Sequence, residues 1–350
     1  MQDGYVANYT LSTTMCHQPD LQALEGIFVE PLSVSATNSL LPIFGGSKLA
    51  VNNDILLPAP MYWNEEERFM GTAGASIPWS SKTSTAIWRG VATGGTNRPS
   101  NWRAFQRHRF VAMNNATQLA LAASPPPPSP SSPSSPTPQP PAHFPLPNPN
   151  LYPHLPPPSS PAFITFLSTT TSIALTDLAC LYPDTKPSCN YTAAYFTPAP
   201  PLPLAEQFRH KYLPDIDGNS FSGRYLGFLR STSLPVKATL WREWHDARLV
   251  AWKHFVPMDS RFGDWWGVLE YFVGVGGGGG GGKGGGSGSG SGGQKGRDAV
   301  AERIAMAGRE WAGKVLRRED MQVYVLRLLL EYARVVDDGR EVLGWVGDLL

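Results

Sequence analysis

Cysteine is scarce in this chain, with three among 350 residues. That excludes a disulfide-dense scaffold and a zinc module built from paired cysteines. Cys180 and Cys189 bracket a turn containing Pro183, Asp184 and Pro187 and could close one small loop, which leaves Cys16 over. Charge is also thin: 16% of residues carry it, 29 basic against 28 acidic, so no global field directs the chain to nucleic acid or to a membrane surface. Long apolar runs are missing. The best of them, AFITFLSTTTSIALTDLA at 162–179, is too short and too rich in Ser, Thr and Asp to span a bilayer. The histidines are scattered, Cys16-His17 are adjacent rather than at ligand spacing, and no Asp-x-Asp triplet occurs. Neither Gly-x-x-x-x-Gly-Lys-Ser/Thr nor Gly-x-Gly-x-x-Gly is present, and Lys283 is followed by Gly284.

Hydrophobic residues make up 41% of the chain, enough for a substantial core, and the length suits two domains. Much of the glycine and proline sits in two tracts. Residues 124–161 are Pro/Ser-rich and expected to be disordered or extended polyproline; residues 274–297 read as a Gly-rich flexible linker. Both are surface insertions or translated intron. The first could alternatively dock a partner's aromatic groove through a PxxP register.

Two segments carry chemistry. In KYLPDIDGNSFSGRYLGFLRSTSLPVK (211–237), an apolar run leads into Asp217-Gly218-Asn219-Ser220-Phe221-Ser222-Gly223-Arg224, and a second apolar run follows. Glycines around Ser and Asn describe a loop whose backbone can approach a ligand. A helix opening at Ser222 would aim N–H groups and the Arg224 guanidinium at a phosphate or diphosphate. The plainer reading is an Asp-Gly turn before a helix cap. Far upstream, STAIWRGVATGGTNRPSNWRAFQRHRFV (84–111) reads as a short strand ending at Arg89-Gly90, a Thr/Gly loop, then a helix carrying Arg103, Arg107 and Arg109. Strand, arginine-bearing turn, helix is how open α/β sheets build ligand crevices. Toward the end, Ala299, Ile304, Ala307 and Trp311, then Val323, Leu326, Leu329, Leu330 and Ala333, space an apolar helical face.

Trp88-Arg89-Gly90, Thr93-Gly94-Gly95, Asn101-Trp102-Arg103 and residues 107–111 resemble the capsule-associated-protein family of glycosyltransferases (family ninety), which includes protein O-glucosyltransferases and fungal xylosyltransferases. The resemblance runs through residues 215–224, Leu229-Arg230-Ser231, 233–237, Trp252-Lys253-His254-Phe255-Val256-Pro257 and 316–332, and upstream through 42–48 and 53–63. Residues 5–9, Cys16 and residues 58–62 look most like the fungal branch.

The resemblance implies a GT-B-type α/β fold with two Rossmann-like halves. Residues 1–75 would be a remnant of the acceptor-side half, 76–123 with 162–273 the donor-binding half, 124–161 and 274–297 the insertions, and 298–350 the C-terminal helices. It implies an inverting, metal-independent transferase that moves glucose or xylose from a UDP-sugar to a hydroxyl of a glycan or glycoprotein, with no cofactor. Arg89 and Gly218, Asn219, Ser220, Phe221, Ser222, Gly223 and Arg224 would hold the donor, and residues 54–63 would line the sugar side. The family's base belongs to an upstream Asp-Glu-Pro-Arg-like segment, which is missing; Glu30-Pro31 lacks the flanking Asp and Arg. Asp54 is the substitute, with a turn or cap aspartate as its alternative. Members work in the Golgi or endoplasmic reticulum behind a signal or membrane anchor, so the chain is expected to be N-terminally truncated. The sequons at Asn8, Asn115 and Asn190 permit glycosylation there. A catalytically incomplete donor-binding protein and a Pro-rich interaction protein are the alternatives.

Overall fold

The computed structural model describes residues 1–32, 39–123, 144–179, 190–275 and 296–340. Its centre is a five-stranded, all-parallel sheet. The strands are β1 (Thr83–Val91), β2 (Thr171–Asp177), β3 (His210–Ile216), β4 (Leu234–Ala238) and β5 (Val256–Pro257), in the order β2-β1-β3-β4-β5. Chain order reverses between β1 and β3, which is the switch point of a doubly wound sheet. The sheet is consistent with the expected Rossmann-like α/β class. Among the described residues the segment upstream of β1 holds only two-residue strands: Phe44–Gly45 pairs in parallel with Ile55–Leu56, and Lys48–Leu49 pairs antiparallel with Trp241–Arg242.

Period-two alternation sorts the strands onto two buried faces. Ala86 and Trp88 on β1, Tyr212 and Ile216 on β3, and Leu234, Val236 and Ala238 on β4 join the main core. Ile87 and Leu213 face the other way, onto Leu204, Phe208 and Phe228. A parallel sheet is covered on both faces because its crossovers lay helices there. The longer helices of the fold are α1 (Gln106–Ala112), α2 (Ala116–Ala123), α3 (Pro161–Thr170), α4 (Tyr225–Arg230), α5 (Trp265–Val273), α6 (Asp298–Val315) and α7 (Arg318–Val336), of which α7 adds no residue to the core clusters on the sheet. The start of α3 shows the local logic: Pro161 occupies the first turn, and the Ser160 hydroxyl accepts from the Phe163 N–H at 3.2 Å. The apolar run at 162–179 is therefore split between α3 and β2, and among the described residues no helix is long and apolar enough to cross a membrane.

Three sequence expectations change. The Pro/Ser-rich tract does not stay unpacked to its end. Phe144 and Tyr152 are buried, Phe144 edge-on to Trp266 and Tyr152 edge-on to Tyr5, because these aromatics give the tract's second half apolar surface worth burying. On α6 the buried stripe is Ala301, Ile304, Ala305, Gly308 and Ala312; Ile304 belongs to it, while Ala299 and Trp311 are exposed. Gly308 sets that rotation, since a Cβ there would lie 2.2 Å from the His254 carbonyl. On α7 only Met321 is buried, and Val323, Leu326, Leu329 and Leu330 are exposed. This helix packs instead through Tyr324, whose hydroxyl donates to the Leu56 carbonyl at 2.9 Å, and through Tyr332 against Phe44. Cys180 and Cys189 lie outside the described residues, as does most of the Gly-rich tract; Cys16 is an exposed free thiol.

Truncating Tyr152 to alanine should lower unfolding free energy by roughly 3 kcal/mol, the cost of emptying a buried aromatic site. Denaturant titration checks this, and a change within error would place residues 144–161 outside the cooperative core.

Candidate functional site

The sheet's switch point brings two loops together at the carboxyl ends of β1 and β3. The first follows Val91 and contains Thr93-Gly94-Gly95; the second runs from Asp217 to Arg224. Asn219 joins them, its Oδ1 accepting from the N–H groups of Gly94 (2.9 Å) and Gly95 (3.1 Å). Both glycines have positive φ, +132° and +136°, a conformation that side chains resist. Gly218 has a packing reason as well, because a Cβ there would meet Thr93 Oγ1 at 3.0 Å and Arg107 Nη2 at 3.1 Å.

Arg107, from α1, fills the gap between the strand ends. Its Nε donates to the Asp217 carbonyl (2.9 Å), Nη1 to the Val91 carbonyl (2.9 Å) and Thr93 Oγ1 (2.6 Å), and Nη2 to the Ile216 carbonyl (3.1 Å). Arg224 enters from the opposite loop. Its Nη1 donates to the Arg89 carbonyl at 2.7 Å, and its guanidinium lies 5.5 Å from the centre of the Trp88 ring, which Arg107 also approaches at 5.6 Å. Burial, and then repulsion from Arg224, press the Arg107 pKa down to about 9, still a cation at neutral pH. Arg224 Nη2 and the Ser222 hydroxyl are buried without a hydrogen-bond partner among the described residues. Unmet donors of this kind are costly in a folded protein and mark a place where a ligand's acceptors would be welcomed.

Not every predicted residue points here. Arg89 meets the loop only through its carbonyl; its guanidinium turns to β2, donating to the Ser172 carbonyl (2.7 Å) and hydroxyl (2.9 Å). The helix after the second loop opens at Tyr225 rather than Ser222, with Arg224 at its cap position. Asp54 is half-buried on the upstream strip, where its carbonyl accepts from Lys48 Nζ at 2.9 Å. That strip does lie over the loop, since Tyr62 meets the Phe221 ring at 6.3 Å. Arg109 is structural: it is buried against Glu25 at 3.0 Å and donates to the Leu24 and Ser260 carbonyls.

Behind the loops is a buried polar cluster that sequence reading did not assemble. Lys237 on β4 sits 3.2 Å from Asp215 and 3.4 Å from Glu243, with its ammonium 3.6 Å from the centre of the Tyr225 ring. Burial works against the Lys237 charge, but Asp215 and Glu243 more than offset it and hold its pKa above the ordinary value. Tyr62 donates to Glu243 at 2.9 Å, and His245 lies 3.4 Å from both Glu243 and Asp246. Glu243, His245 and Asp246 offer ligand atoms within 4.8 Å of one another, a geometry a divalent cation could use; the Lys237 ammonium already supplies positive charge to Glu243. Asp217 accepts from the Thr239 hydroxyl and the Leu240 N–H, both at 2.9 Å, yet burial raises its pKa to about 7.

The folded state thus keeps the Asp217 proton to higher pH than the unfolded chain does. Stability should fall as pH rises from the ordinary carboxylate range to about 7, and Glu25 and Asp264, each raised to about 8 by burial, act with the same sign. Asp217→Asn retains both hydrogen bonds and should flatten part of that slope in denaturant titrations run across pH; an unchanged slope would mean that Asp217 titrates normally. Compared with models of known protein families, the chain matches none.

Proposed function

We propose that the chain binds a nucleoside-diphosphate sugar at the β1/β3 switch point and transfers its sugar to a hydroxyl. The observation that carries this reading is the pair of half-buried arginines, Arg107 and Arg224, converging on one strand-end crevice where Arg224 Nη2 and Ser222 Oγ lack partners among the described residues. A diphosphate offers what that crevice lacks: negative charge and several acceptor oxygens. Guanidiniums placed there can also stabilise the charge that develops on the leaving diphosphate.

The reaction that suits this arrangement is an inverting, metal-independent displacement. The acceptor oxygen bonds to the anomeric carbon, the bond from that carbon to the diphosphate oxygen breaks, and the acceptor proton passes to a carboxylate. Asp54 is the carboxylate proposed for that proton, on the strip that packs over Phe221. UDP-glucose or UDP-xylose is the proposed donor, a glycan or glycoprotein the acceptor, and the Golgi or endoplasmic reticulum the setting. A second reading has an observation of its own. Among the described residues a single parallel sheet has more than two strands, so the chain could bind donor without turning it over.

UDP should bind in the presence of a chelator. Arg224→Ala should weaken it at least tenfold, given about 1.5–3 kcal/mol per charge-assisted bond, and Arg224→Lys should recover only part. UMP should be much less sensitive to either change. Calorimetry measures all three; binding that requires manganese, or that survives Arg224→Ala in a folded protein, would overturn the proposed site. Release of sugar from UDP-glucose or UDP-xylose, lost in Asp54→Asn, separates the enzyme from the binding protein.

A further inference from the structure

A second group of arginines converges at the far end of α4 from the crevice loop. Arg230 at the end of α4, Arg309 on α6, and Arg317 and Arg318 at the start of α7 line one surface cavity of about 410 Å³, together with Glu65 and Glu319. Four guanidiniums against two carboxylates leave the lining cationic. Arg230 is held by Glu65 at 2.9 Å and by the Leu316 carbonyl at 2.8 Å, and Arg317 pairs with Asp320 at 2.9 Å. The other two are different. Arg309 donates to the Ser76 hydroxyl at 2.9 Å, Arg318 lies 4.4 Å over the Trp63 ring, and neither has a carboxylate within ion-pair reach among the described residues. Both are thus positioned by neutral groups and keep their charge unspent.

Gly313, on α6, lines the same cavity on its open side: a Cβ there would meet nothing within 4 Å, so the position has room for an added side chain. Gly308 on the same helix is closed in, since a Cβ there would collide with the His254 carbonyl.

We infer that this cavity is a binding site for a multiply charged oxyanion, a ligand carrying clustered phosphate or sulfate groups, separate from the strand-end crevice. Arginine forks from three helices match such groups in geometry as well as charge. Calorimetry at about physiological ionic strength, where weak surface attraction is screened, tests it with inorganic triphosphate and with a fully sulfated heparin disaccharide. At least one probe should bind. Gly313→Glu, which places an acid in open space, should weaken that binding roughly tenfold or more. The paired change Arg309→Ala with Arg318→Ala should do the same, while Gly313→Ala and Arg224→Ala leave it intact. Preference for triphosphate identifies a phosphate ester as the ligand class, preference for the disaccharide a sulfated glycan, and equal binding a site that reads charge density. The inference is overturned if neither probe binds. It is equally overturned if binding survives Gly313→Glu and disappears with Arg224→Ala, which would put the anion in the crevice. Thermal unfolding of each variant confirms that the comparison is made on folded protein.

Discussion

The guanidinium of Arg107 is the contact on which this molecule's organisation turns. Parallel strands on either side of a switch point diverge, and their last carbonyls point into the gap. Arg107 fills that gap by donating to the carbonyls of Val91, Ile216 and Asp217 at once. Satisfying strand-end carbonyls with a charged donor is structurally effective, but it leaves a half-buried positive charge beside a second arginine. The fold's own solution to an end-of-strand hydrogen-bonding problem is therefore what makes the crevice attractive to an anion.

Much of that crevice was legible in the sequence, and the reasons it was not wholly so are physical. The β1 strand, the Thr/Gly loop and the Asp217–Arg224 loop are local features, written in β-branched residues and glycines. Choosing among Arg103, Arg107 and Arg109 was not possible from spacing, because a three-residue 3₁₀ turn, Trp102–Ala104, precedes α1 and resets which side faces the strand ends. Arg89 looked like the donor contact because it closes an apolar strand, yet Ser172, a residue on a strand 83 positions away, claims its side chain. The exposed face of α7 shows the opposite failure. Its period is correct for a helix, but period says nothing about whether another element arrives to cover the face.

The Lys237 cluster illustrates a further limit. Asp215, Lys237 and Tyr62 fall in segments that the family resemblance covers, but nothing in their spacing says that they meet, and Glu243 lies outside those segments. Each is expensive to bury alone, and together they are tolerable only as a set in which the ammonium lies between carboxylates and over an aromatic face. Such a cluster also fixes the positions of the loops carrying Asp217 and Trp241, so the strand-end crevice rests on a base that cannot be altered one charge at a time.

The clamp on the first residues has a kinetic meaning. Tyr5 donates to Gly267, Tyr152 to Gly4, and Trp252 to Val6, across 262, 148 and 246 positions of sequence. Residues 4–6 are therefore held by groups that follow them by 148 to 262 positions. Closing contacts over such spans is slow relative to forming local structure. A segment clamped in this way orders late in folding, after the helices and loops that it ties together.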